Sequence, residues 1–291
     1  MQVPGKFWPM SAQHESFIAC KPITFLGMLR FVWIFWTVLL LSRPISAQVD
    51  SLNLNRDYLN SYWQNSRHLV TAPVRWNGKQ LLTFASLGGI TVAISAADRN
   101  VSTFFQENQT VGLSRVSTYG LEPLANYYAF FTIGALMVHG LTNDNNKGSA
   151  TAMMAIQSYL ISGLLVKAPK YLFGRIRPNA WWDPEPNEWY GPGNGKSFPS
   201  GHTTSAFSVA SVVAYQYRDK PWIPIASYGL ATLVGVSRLY DNKHWVSDVF
   251  AGAVLGTVTG YFICRQHEKQ MVQIVPVAGD DVYGLQATIS W

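Results

Sequence analysis

The chain has 291 residues, 48% of them hydrophobic, 14% aromatic and only 13% charged, with a formal net charge of +6 and two cysteines. That length allows one or two domains at roughly 100–200 residues each. So many aromatics beside so few charges exclude disorder for the bulk of the chain, and the composition also excludes collagen-like, coiled-coil and disulfide-scaffold classes.

Phe31 to Leu41 is an uncharged apolar run, preceded by Arg30 and followed by Pro44-Ile45-Ser46-Ala47-Gln48. A basic flank, an apolar stretch of about 7–15 residues and a small residue at the cut predict a secretory signal peptide over residues 1–47. The alternative is an uncleaved anchor, for which this run falls short of the roughly 17–25 residues of a span. Cleavage after Ala47 removes Cys20 and leaves Cys264 alone, so no internal disulfide is expected. It also removes Lys6, Lys21, Arg30, Arg43 and Glu15, leaving 18 basic and 15 acidic residues, a net of +3. A balance that small argues against nucleic acid as a partner.

Beyond Gln48, a polar stretch carrying Tyr58, Tyr62 and Trp63 predicts an amphipathic helix. Six apolar segments follow, approximately Leu81–Ala97, Tyr127–Leu141, Ala150–Ala168, Thr203–Tyr217, Ile223–Val236 and Val249–Ile263. Their length and their Ala, Leu, Met and Gly content favour helices over strands. The connection Arg218-Asp219-Lys220-Pro221 is short enough to make its two helices antiparallel neighbours. The fold class expected is therefore all-α, a bundle of about six core helices. From Val272 to Trp291 apolar and polar residues alternate around Gly279-Asp280-Asp281, which predicts a short β-hairpin-like tail. Lys and Arg favour no set of loops, so the positive-inside rule gives no orientation. If Gln48 lies outside and every segment crosses a membrane, the third crossing ends inside. An exported site then requires either that one early segment does not cross or that the whole bundle is periplasmic; the reading favoured is a bundle on the periplasmic side, soluble or partly embedded.

Three clusters carry chemistry. Lys170 and Arg177 are seven residues apart, within roughly 20° on one helix face at about 100° per residue, and Pro178 ends that helix. Taken alone, the pair reads better as a solvated basic helix end answering the helix dipole. In the second cluster, Ser197 to Thr204, Ser200 suits an N-cap and Gly201 lets an anion approach backbone N–H groups at a helix N-terminus. His202 sits in that first turn. In the third, His244 and Asp248 are four apart and so neighbours on a helix, where a carboxylate fixes the imidazole tautomer. Arg238, closing the preceding helix, offers a planar fork suited to phosphate oxygens. No ligand cluster of the kind zinc uses is apparent.

In order, these clusters read K-x-x-x-x-x-x-R-P, P-S-G-H and S-R-x-x-x-x-x-H-x-x-x-D. The pattern resembles the type 2 phosphatidic acid phosphatase / vanadium haloperoxidase superfamily, over about Ala150 to Ile263. The resemblance implies an all-α bundle with its catalytic residues at helix ends on one face. It implies that His244 attacks phosphorus to form a phosphohistidine, that Asp248 orients His244, and that His202 protonates the leaving group and then activates water. Lys170, Arg177 and Arg238, with Ser200 and the Gly201 N–H, would hold the phosphate oxygens. No metal and no other cofactor is expected, because three cations and a helix terminus can supply the charge that phosphoryl transfer requires.

The organisation expected is a signal peptide (1–47), an N-terminal helical region (48–125), a phosphatidic acid phosphatase type 2-like catalytic domain (126–268) and a C-terminal tail (269–291). The expected activity is a metal-independent phosphatase on the periplasmic side of the cell envelope, membrane-associated, acting on a lipid phosphate. Phosphatidate, phosphatidylglycerophosphate, isoprenyl diphosphate and lipid A phosphates all fit. A soluble acid phosphatase taking small phosphorylated substrates is the near variant; a vanadium haloperoxidase and a lipid phosphotransferase are more distant ones. Asn179 to Phe198 holds Trp181, Trp182, Trp189 and Tyr190, and reads as a lid or rim that meets an apolar leaving group, or as a plug over the bundle top. The oligomeric state is not written in the sequence.

Overall fold

A computed structural model describes residues 54–143, 146–279 and 282–289; the signal segment expected over 1–47 lies outside them. Helix α1 (Arg56–Thr71) starts where the Asn55 side chain accepts from the Tyr58 N–H at 2.8 Å. It carries the expected aromatics, with Tyr58 buried and Trp63 exposed. Helix α2 (Gly78–Ser95) opens on a reciprocal capping box between Asn77 and Gln80. Two helices not expected from the sequence follow, α3 (Asp98–Glu107) and α4 (Val111–Val116), and a π-helical turn, Ser117–Leu121, leads into α5 (Glu122–Thr142). Helices α6 (Asn146–Leu165), α7 (Lys167–Phe173), α8 (Gly201–Gln216), α9 (Trp222–Tyr240) and α10 (Val246–Met271) complete the bundle. Strands β1 (Val272–Gly279) and β2 (Val282–Ile289) pair antiparallel, with Val272 opposite Ile289.

The segment expected as Ala150–Ala168 is two helices. Pro169 has no N–H to give the carbonyl one turn back, so the ladder breaks at Val166 and restarts as α7. Helix α7 ends at Gly174, whose φ of +56° is left-handed. A Cβ there would collide with the Gly191 carbonyl, so the turn requires glycine. This corrects the expectation that Lys170 and Arg177 share a helix face: Arg175 pairs instead in a bridge with Trp189, and the chain runs extended to Arg177.

Helix α8 is the core. Every residue from Thr203 to Gln216 except Ser205 is buried, as a helix apolar on all sides must be. Around it pack α6, α9 and α10. The α8–α10 approach is close because Gly252, Gly256 and Gly260 face the carbonyls of Ser200, Thr204 and Ser208. Gly256→Ala, which drives a methyl into the Thr204 carbonyl, is expected to cost about 1–3 kcal/mol, read as a lower thermal midpoint. An unchanged midpoint would show that the two helices separate freely.

The outer helices turn apolar side chains outward. None of the α2 residues is buried, and Leu82, Val92, Phe131, Val138 and Leu164 stand exposed. Patches of this extent mark membrane or partner surfaces. By length and composition the helices over Asn146–Phe173 and Val246–Lys269 can each cross a membrane, and α2 with α3, bent by 49°, passes the same test as a third span.

Candidate active site

The three clusters meet at one end of the bundle, around a cavity of about 330 Å³. Lys170, Arg177, Gly201, His202 and His244 form its polar side, and Tyr128, Ala129, Tyr159, Gly163, Val166 and Ala206 the remainder, with Ser205 between. Five of the residues singled out in the sequence therefore share one hollow. Ser200, Arg238 and Asp248 stand behind it, all three buried.

Lys170 reaches from α7 to the segment before α8, donating from Nζ to the Lys196 and Pro199 carbonyls at 2.7 and 2.8 Å. The Ser200 N–H donates to the Asp248 carbonyl at 3.0 Å, which ties the start of α8 to α10. Ser200 is the N-cap residue by position, but its Oγ accepts from the Thr203 hydroxyl at 2.9 Å and makes no capping bond. The space where a Gly201 side chain would lie is open, which leaves this helix terminus accessible from the cavity.

Arg238 is held by its own neighbourhood. Its Nε donates to Ser237 Oγ at 3.0 Å and its Nη2 to Asp241 Oδ2 at 3.1 Å, while Ser117 Oγ donates to Asp241 Oδ1 at 2.6 Å. It does not line the cavity, but its charge bears on His202.

His244 precedes α10 instead of lying on it, so the expected one-turn spacing on a helix is not what brings it to Asp248. Asp248 takes the N3 role at the start of α10, its Oδ2 accepting the Trp245 N–H at 2.9 Å. His244, one residue earlier, folds back until its Nδ1 is 3.7 Å from that same Oδ2. This exceeds hydrogen-bond length, and Nδ1 has no hydrogen-bond partner among the described residues. Asp248 also accepts from Ser197 Oγ on Oδ2 and from Arg175 Nη1 on Oδ1, at 2.5 and 2.6 Å.

Burial holds the His244 imidazole below its ordinary range; the Asp248 carboxylate opposes that shift, and Lys170 and Arg177 add to it. His202 is open to the cavity, yet its enclosure, then the charges of Arg238, His244, Lys243 and Arg177, push it down to about 4. His202 is therefore neutral at neutral pH in the empty site. A bound dianion offsets those cations, raises the imidazole and draws in a proton. By linkage, the affinity for a dianion must rise as pH falls from neutral towards 4. Calorimetric titration with sulfate, whose own charge is constant over this interval, is expected to show tighter binding at lower pH with proton uptake. Flat affinity would contradict it.

Residues 150–271 match the family model described as the PAP2 superfamily. That segment, under half of the chain, is similar to the PAP2 superfamily. All eight residues singled out in the sequence lie within the matched segment. The lipid A 1-phosphatase of Porphyromonas gingivalis is 38% identical over 101 residues, covering 34% of this chain and 20% of that one. The bacitracin transport permease protein BcrC of Bacillus licheniformis is 29% identical over 140 residues, 48% of this chain and 66% of that one. The chain thus spans under two thirds of the length of either relative. Among solved structures, Aquifex aeolicus LpxE aligns over 58% of this chain and 94% of that one, with TM-score 0.45 and 23% identity.

Four side chains that hold this site were not singled out from the sequence: Arg175, Ser197, Asp241 and Asp98. Arg175 is fully buried and lies inside the Lys170–Pro178 motif. Asp98 lies outside the matched segment, yet it is the only carboxylate between Asp57 and Glu107, a signal the sequence did offer. The Trp-rich connection Asn179–Phe198 contributes no residue to the cavity lining. Arg99 ties it to α3 through Asp183 at 2.8 Å and Glu185 at 2.9 Å, and Trp189 lies over the Arg175 guanidinium. Among the described residues no group of three or more His, Cys, Asp or Glu side chains is placed to hold a metal ion.

Proposed function

We propose that the chain is a phosphatase that hydrolyses the phosphate ester or diphosphate of a lipid without a metal ion, on the periplasmic side of the cell envelope. One observation carries this reading: two histidines, two cations and an open helix N-terminus converge on a cavity of about 330 Å³. That is the constellation phosphoryl transfer uses, because its transition state spreads negative charge over the equatorial oxygens and is served by positioning and fixed charge.

In the first half, the lone pair on His244 Nε2 attacks phosphorus and the P–O ester bond breaks. His202 gives its proton to the departing oxygen. In the second half, His202 takes a proton from water, the resulting hydroxide attacks phosphorus, and the P–N bond breaks with its electron pair returning to His244. Lys170, Arg177 and the Gly201 N–H hold the oxygens throughout, with Arg238 adding charge from behind. Asp248 steadies the imidazole as it becomes cationic.

A lipid substrate is supported by the apolar and aromatic remainder of the cavity wall, by the exposed apolar faces of the outer helices, and by the likeness to the lipid A 1-phosphatase of Porphyromonas gingivalis. Export is supported by the segment over 1–47. The test is phosphate release by the purified chain from a panel of lipid and water-soluble phosphates, with and without EDTA. Hydrolysis of one or more lipid phosphates, unaffected by EDTA, is the expected result. Release from water-soluble esters alone, or strict dependence on a divalent cation, would overturn the reading.

A further inference from the structure

The most enclosed charge cluster among the described residues lies behind the site. Arg175, from the segment after α7, uses all five of its N–H donors. Nε and Nη2 reach the Pro186 carbonyl, Nη1 reaches Ser247 Oγ and Asp248 Oδ1, and Nη2 reaches Asp98 Oδ2 at 2.5 Å. Trp189 and Trp245 flank the guanidinium at 4.7 and 5.6 Å. Asp98, at the first position of α3, is fully buried and also accepts the Ser247 N–H and hydroxyl at 2.9 and 2.7 Å.

Charge counting gives this cluster a consequence. Arg175 beside Asp248 alone would form a neutral pair, and a neutral pair does little for an imidazole that must become cationic. The second carboxylate leaves one net negative charge, in low-dielectric surroundings and 3.7 Å from His244 Nδ1. We propose that Asp98 is a positioning residue for the phosphatase reaction: it offsets Arg175 so that the Asp248 carboxylate keeps its effect on His244. The groups facing His244 from the other packed elements are Lys170, Arg177 and His202, all cationic or able to become so, which makes this negative charge the counterweight to them. The inference rests on the reading of His244 as nucleophile.

The test is a double-mutant cycle on the full chain, hydrolysing dioctanoyl phosphatidate in detergent micelles. Asp98→Asn keeps the shape and removes the charge. It is expected to lower kcat by about tenfold or more with KM little changed, and to move the acid limb of the kcat/KM profile to lower pH. Arg175→Met leaves both carboxylates unopposed and is expected to move that limb to higher pH. The double variant, with one net negative charge restored, is expected to bring the limb back near its wild-type position. A merely structural role would lower the yield or melting temperature of each variant, with additive losses and an unmoved limb. Should Asp98→Asn not fold, the Arg175→Met limb decides alone: unmoved or shifted to lower pH, it overturns the proposal. An active wild type, an inactive His244→Ala and an unchanged Asp98→Asn would refute this inference only. An inactive wild type would refute the proposed function itself.

Discussion

His244→Ala is expected to lose turnover by at least about 10⁴-fold, since the covalent route disappears with its nucleophile. No other side chain can inherit the role. Lys170 is committed to the Lys196 and Pro199 carbonyls, and the reaction still requires His202 for the proton. Residual hydrolysis would come from water attacking a phosphate still held by Lys170, Arg177 and the start of α8. The fold should survive, because His244 lies outside any helix and its Nδ1 makes no hydrogen bond among the described residues. The thermal midpoint should therefore stay close to wild type, and added imidazole should restore part of the activity by filling the vacated space. Near-normal hydrolysis by His244→Ala would remove the proposed nucleophile.

His202→Gln is the second large effect, and its size should depend on the leaving group. A positioned general acid contributes about 10²–10⁴-fold, so hydrolysis of an alkyl phosphate, whose departing alkoxide must be protonated, should fall by that factor. p-Nitrophenolate leaves without a proton, so the first half-reaction on p-nitrophenyl phosphate should be nearly spared. The second half is not spared, because water still lacks its base. The variant should therefore release a burst of p-nitrophenol and then stall as phosphoenzyme. Equal losses with both leaving groups and no burst would contradict the assignment of the two protons to His202.

Much of the site was legible because its residue types sit at fixed spacing. Lys170, Arg177, Gly201, His202 and His244 could be singled out and do share one cavity, but two of the local arguments behind them fail. Lys170 and Arg177 meet through a non-helical segment that begins at the left-handed Gly174, and spacing alone cannot tell a continuous helix from one that ends at Phe173. His244 reaches Asp248 by a turn before α10, since the carboxylate is engaged as that helix's N-terminal acceptor.

The helices were legible from their apolar runs, but not their ends: the last continues to Met271, eight residues past the expected Ile263, and the one expected from Tyr127 starts at Glu122, while Pro169 imposes a break at Val166. Helix α3 escaped notice because it is short and mostly polar, and α4 because it is only six residues long; the contacts made from this region are long-range. Asp98 buttresses Arg175, Ser102 and Gln106 bond the loop at Asn242 and Tyr240, and Ser117 just beyond them bonds Asp241. Such contacts bridge more than seventy residues of sequence and leave no periodic trace. The glycine stripe Gly252-Gly256-Gly260 did leave one, a small residue every fourth position, which marks the face where α10 approaches α8.

The account stands on covalent catalysis by His244, and trapping the intermediate tests it most directly. His202→Gln enzyme mixed with ³²P-labelled aryl phosphate and quenched in alkali should carry label on one peptide. Mass spectrometry should place the phosphoryl group on His244, on a bond that is stable in alkali and broken by acid. Label on a different residue, or single-turnover product formed at full rate with no phosphorylated protein at any time, would contradict it.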